Sequence, residues 1–150
     1  MKIVYVMIKK VLLAGLIAFC TSAVCTAESP SDNSNYDWEP LMAAVIKVES
    51  NGNAKAKHGN QVGAMQITPI LVKECNQILQ RRGCSKRYTL TDRYSVEKSK
   101  EMFEIYQSYH NPENDVEFAI RSWNGGPRFS KRATQRYYRK VMQHYKKTDA

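Results

Sequence analysis

Read from its N-terminus, the chain alternates helical patterning with polar breaks. Leu41, Ala44, Val45 and Val48 recur at i, i+3, i+4 and i+7, one buried face of a helix that Asp37 can cap and Pro40 can enter. Asn51-Gly52-Asn53 stops it, and Gly59 to Gly63 reads as a polar loop. The spacing predicts a second helix over Ile70 to Gln80, with Leu71, Cys75, Ile78 and Leu79 inward and Gly83 beyond its end. Ser95 heads a third, carrying Val96, Met102, Phe103, Tyr106 and Tyr109 as far as Asn111-Pro112. A fourth, from about Glu113 to Trp123, buries Val116, Ala119, Ile120 and Trp123 before the break at Asn124-Gly125-Gly126-Pro127. Tyr137, Tyr138, Val141, Met142 and Tyr145 mark a last helix. No strand pair or internal repeat emerges, so the fold class expected is all-α, one compact helical domain over 37–147.

The chain length of 150 residues suits one such domain. Ahead of it, residues 28–36 read as a flexible leader and residues 1–27 as a secretory signal peptide. Lys2, Lys9 and Lys10 form a basic start, Val11 to Phe19 is apolar, and small residues lead to Ala27. The apolar run is shorter than the roughly 20 residues a spanning helix needs. A lipid anchor on Cys20 or Cys25 is a further alternative, although bulky Phe19 and Val24 precede these cysteines. Export to the periplasm, the cell envelope or the extracellular space is therefore expected. The mature chain would keep only Cys75 and Cys84, a disulfide candidate in an oxidising compartment. Such a staple would stabilise by roughly 2–3 kcal/mol.

Charge adds a partner class. The formal net charge is +9, of which three lysines leave with the signal peptide. An anionic polymer fits that balance: nucleic acid, a membrane face or a cell wall. Nucleic acid would rest on charge alone and conflicts with export, so no nucleic-acid role is expected.

Candidate chemistry is sparse. His58, His110 and His144 show no metal-ligand spacing, and there is no phosphate loop or serine elbow. Neither metal nor cofactor is expected, and His58 reads as a solvated loop residue. Glu49 differs, because it follows the apolar Val48 at the C-terminal end of the first helix. The helix dipole and an apolar surround both push a carboxyl pKa upward, as a general acid requires. Position alone would still read as an exposed helix-end glutamate.

Four segments in order change that reading. Glu49-Ser50 is followed by Gly63-Ala64-Met65-Gln66-Ile67, by Ser122-Trp123-Asn124-Gly125-Gly126-Pro127, and by Thr134-x-x-Tyr137. Together they resemble the soluble lytic transglycosylase (SLT) family of the lysozyme-like superfamily, over about Trp38 to Val141. Leu90-Thr91-Asp92-Arg93 is similar to that family's entry to its third helix. Ala64 in place of Leu, Trp123 in place of Tyr and Tyr138 in place of Val depart from the family pattern.

The resemblance implies a lysozyme-like fold with a catalytic cleft and cleavage of peptidoglycan glycan strands. It implies Glu49 as acid and then base, and Ser50 positioning the sugar or Glu49. Met65 and Gln66 would line the sugar subsites, Asn124 would face the cleft, and Tyr137 would hydrogen-bond near Glu49. Ordinary glycoside hydrolysis uses two carboxylates, and the motifs contain only Glu49, with Asp92 and Asp115 resembling turn and helix-start residues. The implied path is a transglycosylase that closes a 1,6-anhydro ring without water. A lysozyme-like hydrolase and a non-catalytic glycan-binding envelope protein are the rivals. Small members of the family often serve a secretion, conjugation or phage-entry apparatus, and a monomer is expected.

Overall fold

The computed structural model describes residues 36–145. The proposed signal peptide, and all of the leader but Tyr36, lie outside the described residues. Among the described residues five helices carry the fold: α1 (Glu39–Ser50), α2 (Pro69–Arg81), α3 (Val96–His110), α4 (Val116–Gly125) and α5 (Lys131–Tyr145). The domain is mostly helical, as the apolar spacing predicts.

Polar residues set the helix starts. Asp37 accepts the Glu39 N–H at 2.9 Å ahead of Pro40. Thr68, Ser95 and Asp115 each cap a helix by accepting the N–H three residues on, from Leu71, Lys98 and Phe118. Because Asp115 is that cap, α4 starts at Val116 and not at Glu113. Asp92 is half of a capping box with Thr89 on a 3-10 helix, Leu90–Tyr94. Its carboxylate also takes the Lys98 ammonium at 2.5 Å, and these bonds hold its pKa down at about 2.

One expectation fails between α1 and α2. Two short strands, β1 (Lys57–His58) and β2 (Gln61–Val62), pair antiparallel with Lys57 opposite Val62. Val62 also bridges to Ile67, exchanging N–H to O bonds of 3.2 and 2.9 Å. Two-residue strands are too short to show a period-2 pattern.

The core gathers Leu41, Met42, Ala44 and Val45 of α1 with Met102, Phe103, Ile120 and Val141. Full burial of each large side chain contributes roughly 1.5–3 kcal/mol. Phe103 lies between Trp38 and Trp123, with centroids 5.7 and 5.0 Å away. α5 packs against both α1 and α4, and α2 against α3. Arg121, buried on α4, locks α5 in place through Lys131 O, Thr134 Oγ1 and Gln135 Oε1. Its guanidinium also lies over the Tyr138 ring at 4.3 Å.

The Cys75–Cys84 disulfide is not formed, because Cys75 is a free buried thiol. Its Sγ points across to α3 and donates to Met102 O at 3.4 Å. Cys84 lies beyond the end of α2, its N–H on Leu79 O. Burial pushes the Cys75 thiol up to about 12, so it stays protonated and packs as a small apolar group.

Candidate active site

A cleft of about 710 Å³ opens between the end of α1, the β2–α2 turn, α2, the end of α4 and α5. Glu49 lines it from the last turn of α1. Tyr137 Oη, on α5, donates to Glu49 Oε1 at 2.7 Å. Burial raises the Glu49 pKa, against the smaller lowering effects of the Tyr137 hydrogen bond and the His58 charge. Burial and the Glu49 charge push the Tyr137 hydroxyl well above its ordinary value, so it remains a donor.

The tight turn from Gly63 to Ile67 forms the adjoining wall. Gly63 takes φ +81°, and a Cβ there would sit 1.8 Å from Arg93 O. Ser50 Oγ donates to Ala64 O at 2.8 Å, and Trp123 Nε1 donates to Met65 O at 3.3 Å. The residue following Glu49 and the aromatic residue of α4 thus hold the turn from two sides.

Gln66 sits in left-handed backbone at φ 52°, with its side chain on the cleft. Its Nε2 donates to Gly63 O at 2.9 Å, which leaves Oε1 to face His58 Nδ1 at 2.8 Å. The amide orientation therefore requires a hydrogen on His58 Nδ1. His58 is exposed, yet bound to the cleft wall rather than simply solvated.

The residues expected at the site divide into two groups. Glu49, Gln66, Asn124 and Tyr137 all line the cleft. Met65 does not: its side chain is fully buried in the core, and its carbonyl accepts the Trp123 indole N–H. Ser50 lies off the cleft wall and acts on the turn. Tyr138 lies under the Arg121 guanidinium, and its neighbour Tyr137 is the tyrosine that meets Glu49.

Several cleft residues went unnoticed in the sequence, among them Ile70, Glu74, Tyr106, Arg136 and Lys140. Arg136 and Lys140 share helical spacing with Tyr137, a signal that was available. Glu74 is a second cleft carboxylate, held by His110 Nε2 at 2.7 Å across the α2–α3 contact.

A family model described as the transglycosylase SLT domain matches residues 28–146. The chain belongs to the transglycosylase SLT domain family. No curated protein matches it. Membership supports a peptidoglycan-degrading function of the lytic transglycosylase type, with peptidoglycan as the bound substrate. In this SLT domain the segments that carried the resemblance are far apart in the chain. Folding brings Glu49, the Gly63–Ile67 turn, the end of α4 and Tyr137 around one cleft.

Proposed function

We propose that this SLT domain cleaves the MurNAc–GlcNAc β-1,4 bond by transglycosylation, with Glu49 as its single acid/base. The observation that carries the reading is a part-buried carboxyl in the cleft, its pKa raised by burial and its orientation set by Tyr137. Protonated Glu49 gives its proton to the glycosidic oxygen as the C1–O bond breaks, and the substrate's N-acetyl oxygen covers C1. The resulting Glu49 carboxylate then takes the proton of the muramic C6 hydroxyl, whose oxygen bonds to C1 and displaces the N-acetyl oxygen. Glu49 ends protonated, no water is consumed, and the product is a 1,6-anhydromuramoyl end. General acid–base catalysis of this kind accounts for roughly 10²–10⁴-fold in rate.

The two other carboxylates weighed in the sequence, Asp92 and Asp115, serve as caps. Glu74 is the group on which a hydrolytic reading would depend, and its pairing with His110 favours a structural role. Digestion of purified peptidoglycan followed by mass spectrometry separates the readings. Wild type is expected to yield anhydro ends and Glu49→Gln to yield almost no cleavage. Reducing ends that vanish in Glu74→Gln would instead establish hydrolysis. Export is part of the proposal, carried by the signal-like residues 1–27. N-terminal sequencing of protein recovered from the envelope fraction should begin after Ala27 or Ala23.

A further inference from the structure

α5 presents two different stripes. Thr134 and Val141 are buried, with Tyr138 and Tyr145 packed against the core beside them. Ala133, Arg136, Tyr137 and Lys140, at i, i+3, i+4 and i+7, line the cleft. Arg136 and Lys140 are one turn apart, with Cβ atoms about 5–6 Å from each other. Both are exposed, and among the described residues neither forms an ion pair. The cleft's own acids do not neutralise them: Glu74 is held by His110 and Glu49 by Tyr137. The domain's two buried arginines, by contrast, have intramolecular duties, Arg93 on Asn60 O and Ile67 O and Arg121 on Glu117. Two free cations therefore flank the tyrosine that orients the proposed acid.

We infer that Arg136 and Lys140 form a carboxylate-binding subsite for the acidic peptide stem of the muramic residue undergoing cleavage. This rests on the peptidoglycan reading above. In an intact strand the lactyl carboxyl of muramic acid is tied up as an amide, so the free carboxylates near the scissile bond belong to the peptide stem. A guanidinium offers a planar fork to such a group, and an ammonium one turn away adds a second point of charge. The subsite would make the enzyme prefer strands that carry charged stems.

Binding tests this without catalysis, in the Glu49→Gln background. Retention on insoluble peptidoglycan is compared with retention on the same material after its stem carboxylates are converted to amides with carbodiimide and ammonia. Adding Arg136→Gln and Lys140→Gln is expected to weaken binding to native material about tenfold, the scale of one charge-assisted contact. On amidated material the same pair should change binding less than about threefold. Arg132→Gln with Arg139→Gln removes the same charge from α5 away from the cleft and controls for net charge. Equal losses on native and amidated walls, or an equal loss in the control pair, would overturn the subsite. Charge-selective binding without any cleavage by wild type would sink the catalytic reading and leave the subsite standing. Cleavage with charge-blind binding would do the reverse.

Discussion

At the scale of single residues the proposed chemistry rests on the Glu49–Tyr137 hydrogen bond, which works in two directions. It fixes the carboxyl in the cleft, and it stabilises the carboxylate, opposing the burial that raises the pKa. Tyr137→Phe removes both effects. The acid would lose its fixed orientation, so kcat should fall by roughly 10-fold or more, the range of one positioned catalytic contact. The Glu49 pKa should rise further, because the hydrogen bond that opposes burial most is gone. The protonated acid then survives to higher pH, and the alkaline limb of the pH–rate profile should move upward. A downward or unmoved limb, measured on soluble glycan fragments, would show that the hydrogen bond is not the main influence of Tyr137. Glu49 itself was legible only through the order of its neighbouring motifs, since its helix-end position fits an ordinary surface glutamate equally well. Met65 and Ser50 show the opposite limit. A motif reports that a residue belongs to a turn, but not whether its side chain faces the cleft or the core.

Among the elements, the Gly63–Ile67 turn joins the most functions in the least chain. It carries Gln66, receives bonds from Ser50 and Trp123, and backs onto Arg93 of the 3-10 helix. Gly63→Ala places a Cβ against Arg93 O in backbone at positive φ, and a carbonyl of the chain cannot yield as a flexible side-chain end would. The substitution should cost at least about 2 kcal/mol in stability by urea unfolding, from strain and displacement together. Activity of the folded fraction should also fall, because Gln66 and the Trp123 contact move with the turn. The helices around this turn were readable from their 3.6-residue spacing, two of them also from their Asp37 and Ser95 starts, whereas the Thr68 cap was not read. The hairpin ahead of the turn was not readable, since two-residue strands span a single period of the strand alternation and cannot show a repeat. The expected disulfide failed for a related reason: sequence separation did not register that Cys75 faces α3 while Cys84 is tied to Leu79.

Over the whole molecule, the cleft exists because α5 is clamped to α4 by Arg121 and packed against α1, so that one helix supplies both core and site. The cleft-facing stripe of α5 escaped the sequence reading because Arg136 and Lys140 counted only as charge until Tyr137 set the helix's orientation. The same architecture imposes a stability cost at Glu49. Its folded-state pKa is raised, so the folded protein binds this proton more tightly than the unfolded chain does. Stability therefore declines as pH rises from the unfolded value, about 4.3, toward the folded one, and the deficit is complete above the latter. Glu49→Gln keeps the side chain's size and an oxygen to accept the Tyr137 hydroxyl while removing the buried charge. Its Tm should exceed that of wild type at pH 7, and the difference should shrink toward zero as both side chains become neutral in acid. Calorimetric melts across that range decide the matter. A variant less stable than wild type at pH 7 would mean that the charged hydrogen bond to Tyr137 outweighs desolvation. In that case Glu49 would be a structural anchor of α5 and a poor proton donor.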